Sequence, residues 1–276
     1  MITKESTMNS KKPLEAAKQL DQFFTDGNVA QACLNRLISL IEKESILFDA
    51  WLEPSAGSGA FFNILPSNKE KVGIDIDPKI EGIAKADFLS ITLPKQDYIT
   101  VGNPPFGKNA SLAIAFFNKA SAISTIVAFI VPKTFKKASV INRLDRAMHL
   151  IEEMDIPKNA FLFMGLPYDV PCVFQIWKKK PFTRNKLALN CQHKDIRFVK
   201  QGEANVAFQR VGVNAGSIKD TFQTASPSSH YFLKIEENVK AILKTIDWNR
   251  FKLNCAGCPS IAKTEIILAY SERIKA

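Results

Sequence analysis

Between residues 28 and 177 short apolar runs alternate with segments of helical period, and this alternation constrains the fold more than any other feature. Val29, Ala30, Cys33, Leu34, Leu37, Ile38 and Ile41 recur every three or four positions, which predicts an amphipathic helix over 28–43. Asp26 and Asn28 suit its start. Apolar runs at 48–52, 71–76, 97–101, 125–131 and 171–177 read as strands. Residues 111–122 read as helix, and 141–151 carry an amphipathic helical spacing. About one helix-length is expected between the strand ending at Asp75 and Ala86-Asp87-Phe88-Leu89. Strands alternating with helices imply an α/β fold, a doubly wound and mostly parallel sheet covered on both faces.

Beyond residue 181 the pattern changes. Strand-like pieces at 196–199, 205–211 and 230–235 are separated by Gly and Ser, and helical spacing returns at 236–246 and 264–270. This predicts a small α+β appendage. The expected organisation is a mobile polar tail over 1–17, a main domain over 18–180 and the appendage over 181–276.

Charge divides along the same line. Residues 1–177 hold 19 Lys and Arg against 19 Asp and Glu, whereas 178–276 hold 18 against 8, so the whole net charge of +10 lies in the last third. A neutral main domain with a basic appendage suggests a polyanionic partner, most simply nucleic acid, although a solvated lysine-rich surface carries the same excess. No apolar run approaches the ~18 residues of a membrane span. No apolar segment follows Met1–Ser6, so neither export nor a membrane partner is expected, and a cytoplasmic location follows. The five cysteines are then expected as reduced thiols.

Three stretches sit where strands end. Glu53-Pro54-Ser55-Ala56-Gly57-Ser58-Gly59 offers small residues that let a backbone approach a ligand closely. Asp75 and Asp77 place acids at the end of the second strand, where α/β folds meet ribose hydroxyls. Asn103-Pro104-Pro105-Phe106 is a Pro-locked turn; two prolines fix φ and remove two N–H donors, leaving carbonyls and the Asn side chain free to accept. Acceptors beside an aromatic face suit an amino group on a planar ring.

Taken in order with Phe23-Phe24-Thr25, these stretches resemble the S-adenosylmethionine-dependent amino-methyltransferases, in particular adenine-N6 DNA methyltransferases whose cofactor motifs precede Asn-Pro-Pro-Phe. The match covers roughly residues 19–180. The resemblance implies a Rossmann-like methyltransferase sheet and S-adenosylmethionine as cofactor. It implies that Thr25 closes over the cofactor's methionine part, and that Glu53, Ser55, Ala56, Gly57 and Gly59 form the first cofactor loop. Asp75 would hold the ribose, Ile76 would pack beside the adenine, and Asp87 would accept from the cofactor's adenine amine beside Phe88. Asn103 and Pro104 would accept from the target amine, with Pro105 locking the turn and Phe106 stacking on the base. One position departs from the pattern: Asp26 follows Thr25 where the family usually has proline.

Tyr168, in Gly165-Leu166-Pro167-Tyr168, is the candidate for the second face of a flipped base. Lys133, Lys136 and Lys137 around Phe135 are candidates for phosphate contacts. Each has an ordinary alternative, a core tyrosine and a solvated loop. His149, His193 and His230 lie away from every motif and read as surface or structural. Cys255-Ala256-Gly257-Cys258 with Cys191 and His193 could in principle ligate zinc, but the second pair is irregular and no metal site is expected. The leading reading is adenine-N6 methylation of DNA. The alternatives are adenine-N6 or guanine-N2 methylation of RNA, glutamine methylation of a release factor, and a non-catalytic nucleic-acid-binding subunit. Gly107 follows Phe106 where guanine-N2 enzymes commonly carry His, and a protein substrate gives no reason for a basic appendage.

Overall fold

A computed structural model describes residues 23–163, 165–255 and 257–275. The tail expected over 1–17 lies outside the described residues. The chain divides into two compact units. One comprises the described residues through Pro132 together with Asn142–Lys186; the other comprises Lys133–Ile141 and the residues from Leu187 onward. The division therefore falls at 186 rather than 180, and the basic 133–141 segment groups with the second unit.

The first unit begins with β1 (Phe24–Thr25) and α1 (Gly27–Lys43). Asp26 caps α1, its carboxylate accepting from the Asn28 and Val29 N–H groups. There follow β2 (Ala50–Glu53), β3 (Glu70–Asp75), β4 (Ile83–Lys85), β5 (Tyr98–Gly102), α2 (Ser111–Ile123) and β6 (Ser124–Pro132). After α3 (Ala138–Ile141), which belongs to the second unit, come β7 (Met148–Asp155), β8 (Phe161–Phe163), β9 (Leu166–Tyr168) and β10 (Cys172–Lys179).

Seven strands form one sheet in the order β4-β3-β2-β5-β6-β10-β7. The first five are parallel; β10 runs antiparallel to β6 and to β7. This is the expected α/β class with a mostly parallel sheet. One long helix lies on each face. The apolar stripe of α1 (Ala30, Cys33, Leu34, Leu37, Leu40) packs with Trp51, Ile99, Ile126, Ala128 and Phe174. On the opposite face Phe117 of α2 meets Trp177 edge-on, ring centroids 5.4 Å apart. Alternate residues of β6 face each layer, so all of Ile126–Val131 is buried, which explains the uninterrupted apolar run. Cys33 is fully buried in this core, and burial pushes its thiol up to about 12.

Two expectations are corrected. Only a turn, not a helix-length, separates β3 from β4. The amphipathic spacing over 141–151 is not one helix: α3 ends at Ile141, and Met148–Asp155 pairs with β10, whose backbone groups outcompete helical hydrogen bonds there. Separately, β1, β8 and β9 form a small antiparallel sheet, Thr25 pairing with Phe161 and Phe161 with Tyr168.

In the second unit, β11 (Arg197–Val199), β12 (Val206–Gln209), β13 (Ile218–Lys219) and β14 (His230–Lys234) form a sheet in the order β11-β14-β12-β13. It packs with α4 (Glu237–Lys244), α5 (Asn249–Lys252) and α6 (Lys263–Arg273) around Val206, Phe208, Leu233, Leu243, Ile266 and Tyr270.

Candidate active site

The carboxyl ends of β2, β3 and β5 and the loop after β4 surround a cavity of about 310 Å³. Open parallel sheets bind ligands at this end of the strands.

Beyond β2 the chain turns through Pro54 and Ser55 into Gly57. Gly57 has φ +48°, and a Cβ there would lie 3.0 Å from the Phe24 ring. Its N–H donates to Asp75 Oδ2 at 2.7 Å. The other Asp75 oxygen accepts from the Asp77 N–H, also at 2.7 Å. One carboxylate thus fixes two loops, and both contacts are charge-assisted. Ser55, Gly57, Asp75, Ile76 and Asp77 all line the cavity. Ile76 is 55% exposed, an apolar side chain that a bound ring would cover. Asp77 pairs with Lys79.

The loop after β4 supplies the far wall. Asp87 accepts from Ser90 Oγ at 2.7 Å and from the Leu89 N–H at 2.9 Å. The Ser90 hydroxyl, then the Leu89 N–H, hold its carboxyl below the usual aspartate range. Phe88 lines the cavity, buried against Phe116 of α2 with centroids 5.3 Å apart. Lys119 of α2 holds this loop, donating to the Ile91 carbonyl at 2.5 Å with its ammonium 5.3 Å from the Phe88 centroid.

The turn after β5 supplies the polar centre. Asn103 Nδ2 donates to the Phe23 carbonyl at 3.1 Å, and the Asn103 carbonyl accepts from Ser55 Oγ at 3.1 Å. Asn103 Oδ1 is buried and has no hydrogen-bond partner. Buried acceptors left unmade are costly, so an orphan at a cavity wall marks a place for a donor. Asn103 and Pro105 line the cavity; Pro104 is buried.

Four expected contacts fall elsewhere. Thr25 is buried and paired in the small sheet, and the cavity wall there is formed by Phe23 and Phe24. Ala56 is a buried packing residue whose N–H donates to the Ile74 carbonyl at 2.9 Å. Gly59 is required by packing: φ is +81°, and a Cβ would lie 2.2 Å from Ile80 Cδ1. Phe106 is half-buried against the main core rather than on the cavity wall.

Glu53 lies behind the lining, 2% exposed, beside Gly102, where a Cβ would come 3.3 Å from Glu53 Cγ. Burial holds its carboxyl well above the usual carboxylate range; the Phe62 N–H opposes this and Asp75 adds to it. Its Oε2 is a second buried side-chain oxygen without a partner.

Tyr168 stacks on Phe23, centroids 4.9 Å apart at 23°, and remains 44% exposed. Phe163 joins them at 5.2 Å from Phe23. The cavity wall is therefore aromatic through Phe23, and Tyr168 stacks on that ring without lining the cavity itself. Lys133, Lys136 and Lys137 belong to the second unit, where Lys137 is held by Glu265 at 3.3 Å and the Ser260 carbonyl at 3.5 Å. Lys137, expected at a phosphate, is in this structure the cation of a half-buried ion pair. Cys255 is buried while Cys191 and Cys258 are exposed, and among the described residues no group of three or more His, Cys, Asp or Glu is placed to hold a metal.

Sequence reasoning missed Phe23, Phe24, Phe116 and Lys119. The first two stand beside Thr25 in the matching stretch, and Phe116 lies on the apolar side of its helix. The Phe23 carbonyl leaves no mark in a sequence.

No family model matches the chain. Solved structures similar to it include a candidate RNA methyltransferase from Pyrococcus horikoshii, at 19% identity over 58% of this chain and 87% of that one, TM-score 0.47. The 23S rRNA methyltransferase ErmE is similar at 17% identity over 58% of this chain and 71% of that one, TM-score 0.40. The N-methyltransferase NodS from Bradyrhizobium japonicum is similar at 16% identity over 56% of this chain and 98% of that one, TM-score 0.40. These likenesses are too distant to assign the chain to a family.

Proposed function

We propose that this protein transfers a methyl group from S-adenosylmethionine to the exocyclic N6 amine of adenine in DNA. The observation that carries the proposal is Asn103, a residue of the wall of a cavity shared with Asp75 and Asp87, whose Oδ1 is a buried acceptor without a partner.

The residues present fit the cofactor. Asp75 keeps lone pairs for ribose hydroxyls, and its two backbone contacts hold it in place. Asp87 supplies an acceptor for an adenine amine, and Ile76 and Phe88 supply apolar faces for the ring. At Gly57 a Cβ would press on the Phe24 ring at 3.0 Å, and φ is +48°. Glu53 Oε2 supplies an unpaired hydrogen-bonding group behind the first loop. When bound, the cofactor supplies an electrophilic methyl on a sulfonium.

The protein's own part is position and electrostatics. An exocyclic amine is a poor nucleophile because its lone pair is delocalised into the ring. Asn103 Oδ1 and the Pro104 carbonyl hold its two N–H bonds and favour a more pyramidal nitrogen. They also offset the positive charge that develops on nitrogen. Phe23, backed by Tyr168, offers the planar base an aromatic wall, replacing Phe106 in that role. Holding the amine in line with the methyl supplies the proximity term. His149, His193 and His230 do not line the cavity, and no strong base is required.

The test is incubation with methyl-labelled cofactor and separate DNA and RNA pools, followed by nucleoside analysis. N6-methyladenine from DNA is the expected product. Label in RNA adenine or guanine N2 would move the substrate to RNA, and cofactor binding without transfer to either pool would favour the non-catalytic reading.

A further inference from the structure

Phe198 of β11 and Tyr231 of β14 meet edge-on in the second unit, centroids 5.6 Å apart at 83°. Two cations sit over this ring pair. The Arg210 guanidinium carbon lies 4.8 Å from the Tyr231 centroid. The Lys263 ammonium lies 4.6 Å from the Phe198 centroid and 5.5 Å from that of Tyr231. All four residues are half-buried.

Neither cation has a salt-bridge partner among the described residues. The acid nearest in sequence to Lys263 is Glu265, and its carboxylate is already taken by Lys137 at 3.3 Å and the Ala262 N–H at 2.7 Å. Two like charges thus share one ring pair, and neither forms a salt bridge among the described residues. The unit as a whole carries 16 Lys and Arg against 8 Asp and Glu.

We infer that Arg210 and Lys263 form a phosphate-binding clamp for the backbone of a nucleic acid. Packing against an aromatic face attracts each cation and holds a long, flexible side chain in one place, so less freedom is lost when an anion arrives. A charged surface that serves only solubility needs no such arrangement. The cations occupy the ring faces, so the clamp takes phosphodiester oxygens rather than a stacked base. It therefore adds affinity without sequence preference. The inference rests on the nucleic-acid reading above and assigns part of that grip to named residues outside the cofactor cavity.

The test is fluorescence anisotropy on the full chain with three labelled probes: duplex DNA, the same bases scrambled, and single-stranded RNA. The Arg210→Gln/Lys263→Gln double variant should raise Kd by roughly tenfold or more near 0.15 M salt and reduce the salt slope by about two, equally for both DNA sequences. Arg210→Lys/Lys263→Arg should retain the slope, and cofactor affinity should not change in either. If circular dichroism shows the double Gln variant unfolded, Lys263→Gln alone should reduce the slope by about one. Wild-type binding with an unchanged slope in the Gln variants overturns the clamp and leaves the proposed function standing. Wild-type protein that binds none of the three probes overturns both.

Discussion

The side-chain nitrogen of Asn103 donates to the main-chain carbonyl of Phe23, 80 positions earlier in the chain, at 3.1 Å. An amide has one donor end and one acceptor end. Spending the donor on Phe23 leaves the other end, Oδ1, as a buried acceptor without a partner. The contact ties the turn after β5 to the small sheet of β1, β8 and β9, and so to Tyr168, which stacks on the same Phe23.

Asn103→Ala should lower the transfer rate by about 10²–10³-fold or more, the scale for removing one preorganised polar contact in a dry site. Cofactor affinity should stay within about threefold, since the cofactor contacts assigned above lie mainly on Asp75 and Asp87. Asn103→Asp tests orientation. It keeps an acceptor but sets a carboxylate against the Phe23 carbonyl, and should lose most of the rate. Single-turnover kinetics and calorimetry separate the two effects; loss of cofactor binding in Asn103→Ala would contradict the assigned role.

Glu53 makes stability depend on pH in the direction opposite to most carboxylates. Its folded-state pKa is raised, mainly by burial, so the folded protein keeps a proton that the unfolded chain releases above about pH 4.3. The contribution is full below that pH and is lost as pH rises toward the folded-state pKa. Glu53→Gln removes the titration. Its melting temperature relative to wild type should rise between pH 4.5 and pH 8; a difference that stays flat across that range would show that Glu53 is ionised when folded.

Gly107 adopts φ +66°, and a Cβ there would lie 2.8 Å from Leu112 Cγ and 3.0 Å from the Leu112 nitrogen. Gly107→Ala should cost about 2–3 kcal/mol, combining strain in a backbone region (φ +66°, ψ 175°) open essentially to glycine with a clash against Leu112. Gly165 provides the comparison: φ is +77° but nothing lies within 4 Å, so Gly165→Ala should cost about 1 kcal/mol, the conformational part alone. Urea denaturation of both variants measures the difference, and equal costs would remove the steric part.

The features legible in the sequence were those written by local periodicity. The stripe of α1 and the apolar run of β6 report burial directly, because each residue's neighbours in the chain share its environment. The segment at 148–151 shows where this fails. Met148 and Ile151 fit a helical stripe as readily as a strand, and pairing with β10 decides between them. At the site, Asp75, Gly57 and Asn103 were legible because their side chains, or the lack of one, carry the contact. Phe106 and Thr25 were assigned to the cavity by position in a motif, but Phe106 packs on the core and Thr25 pairs in a strand of two residues, shorter than any periodicity can reveal.

The chain leaves the first unit after Pro132, contributes Lys133–Ile141 to the second, and returns at Asn142 before crossing again at Lys186. The second unit is therefore not a contiguous cassette. A fragment starting at Leu187 would carry Glu265 without Lys137, stranding a half-buried carboxylate, and the complementary truncation would strand the lysine. A cut at Leu187 therefore breaks this pair on either side. The second unit is kept whole only when two separate stretches of sequence are moved together.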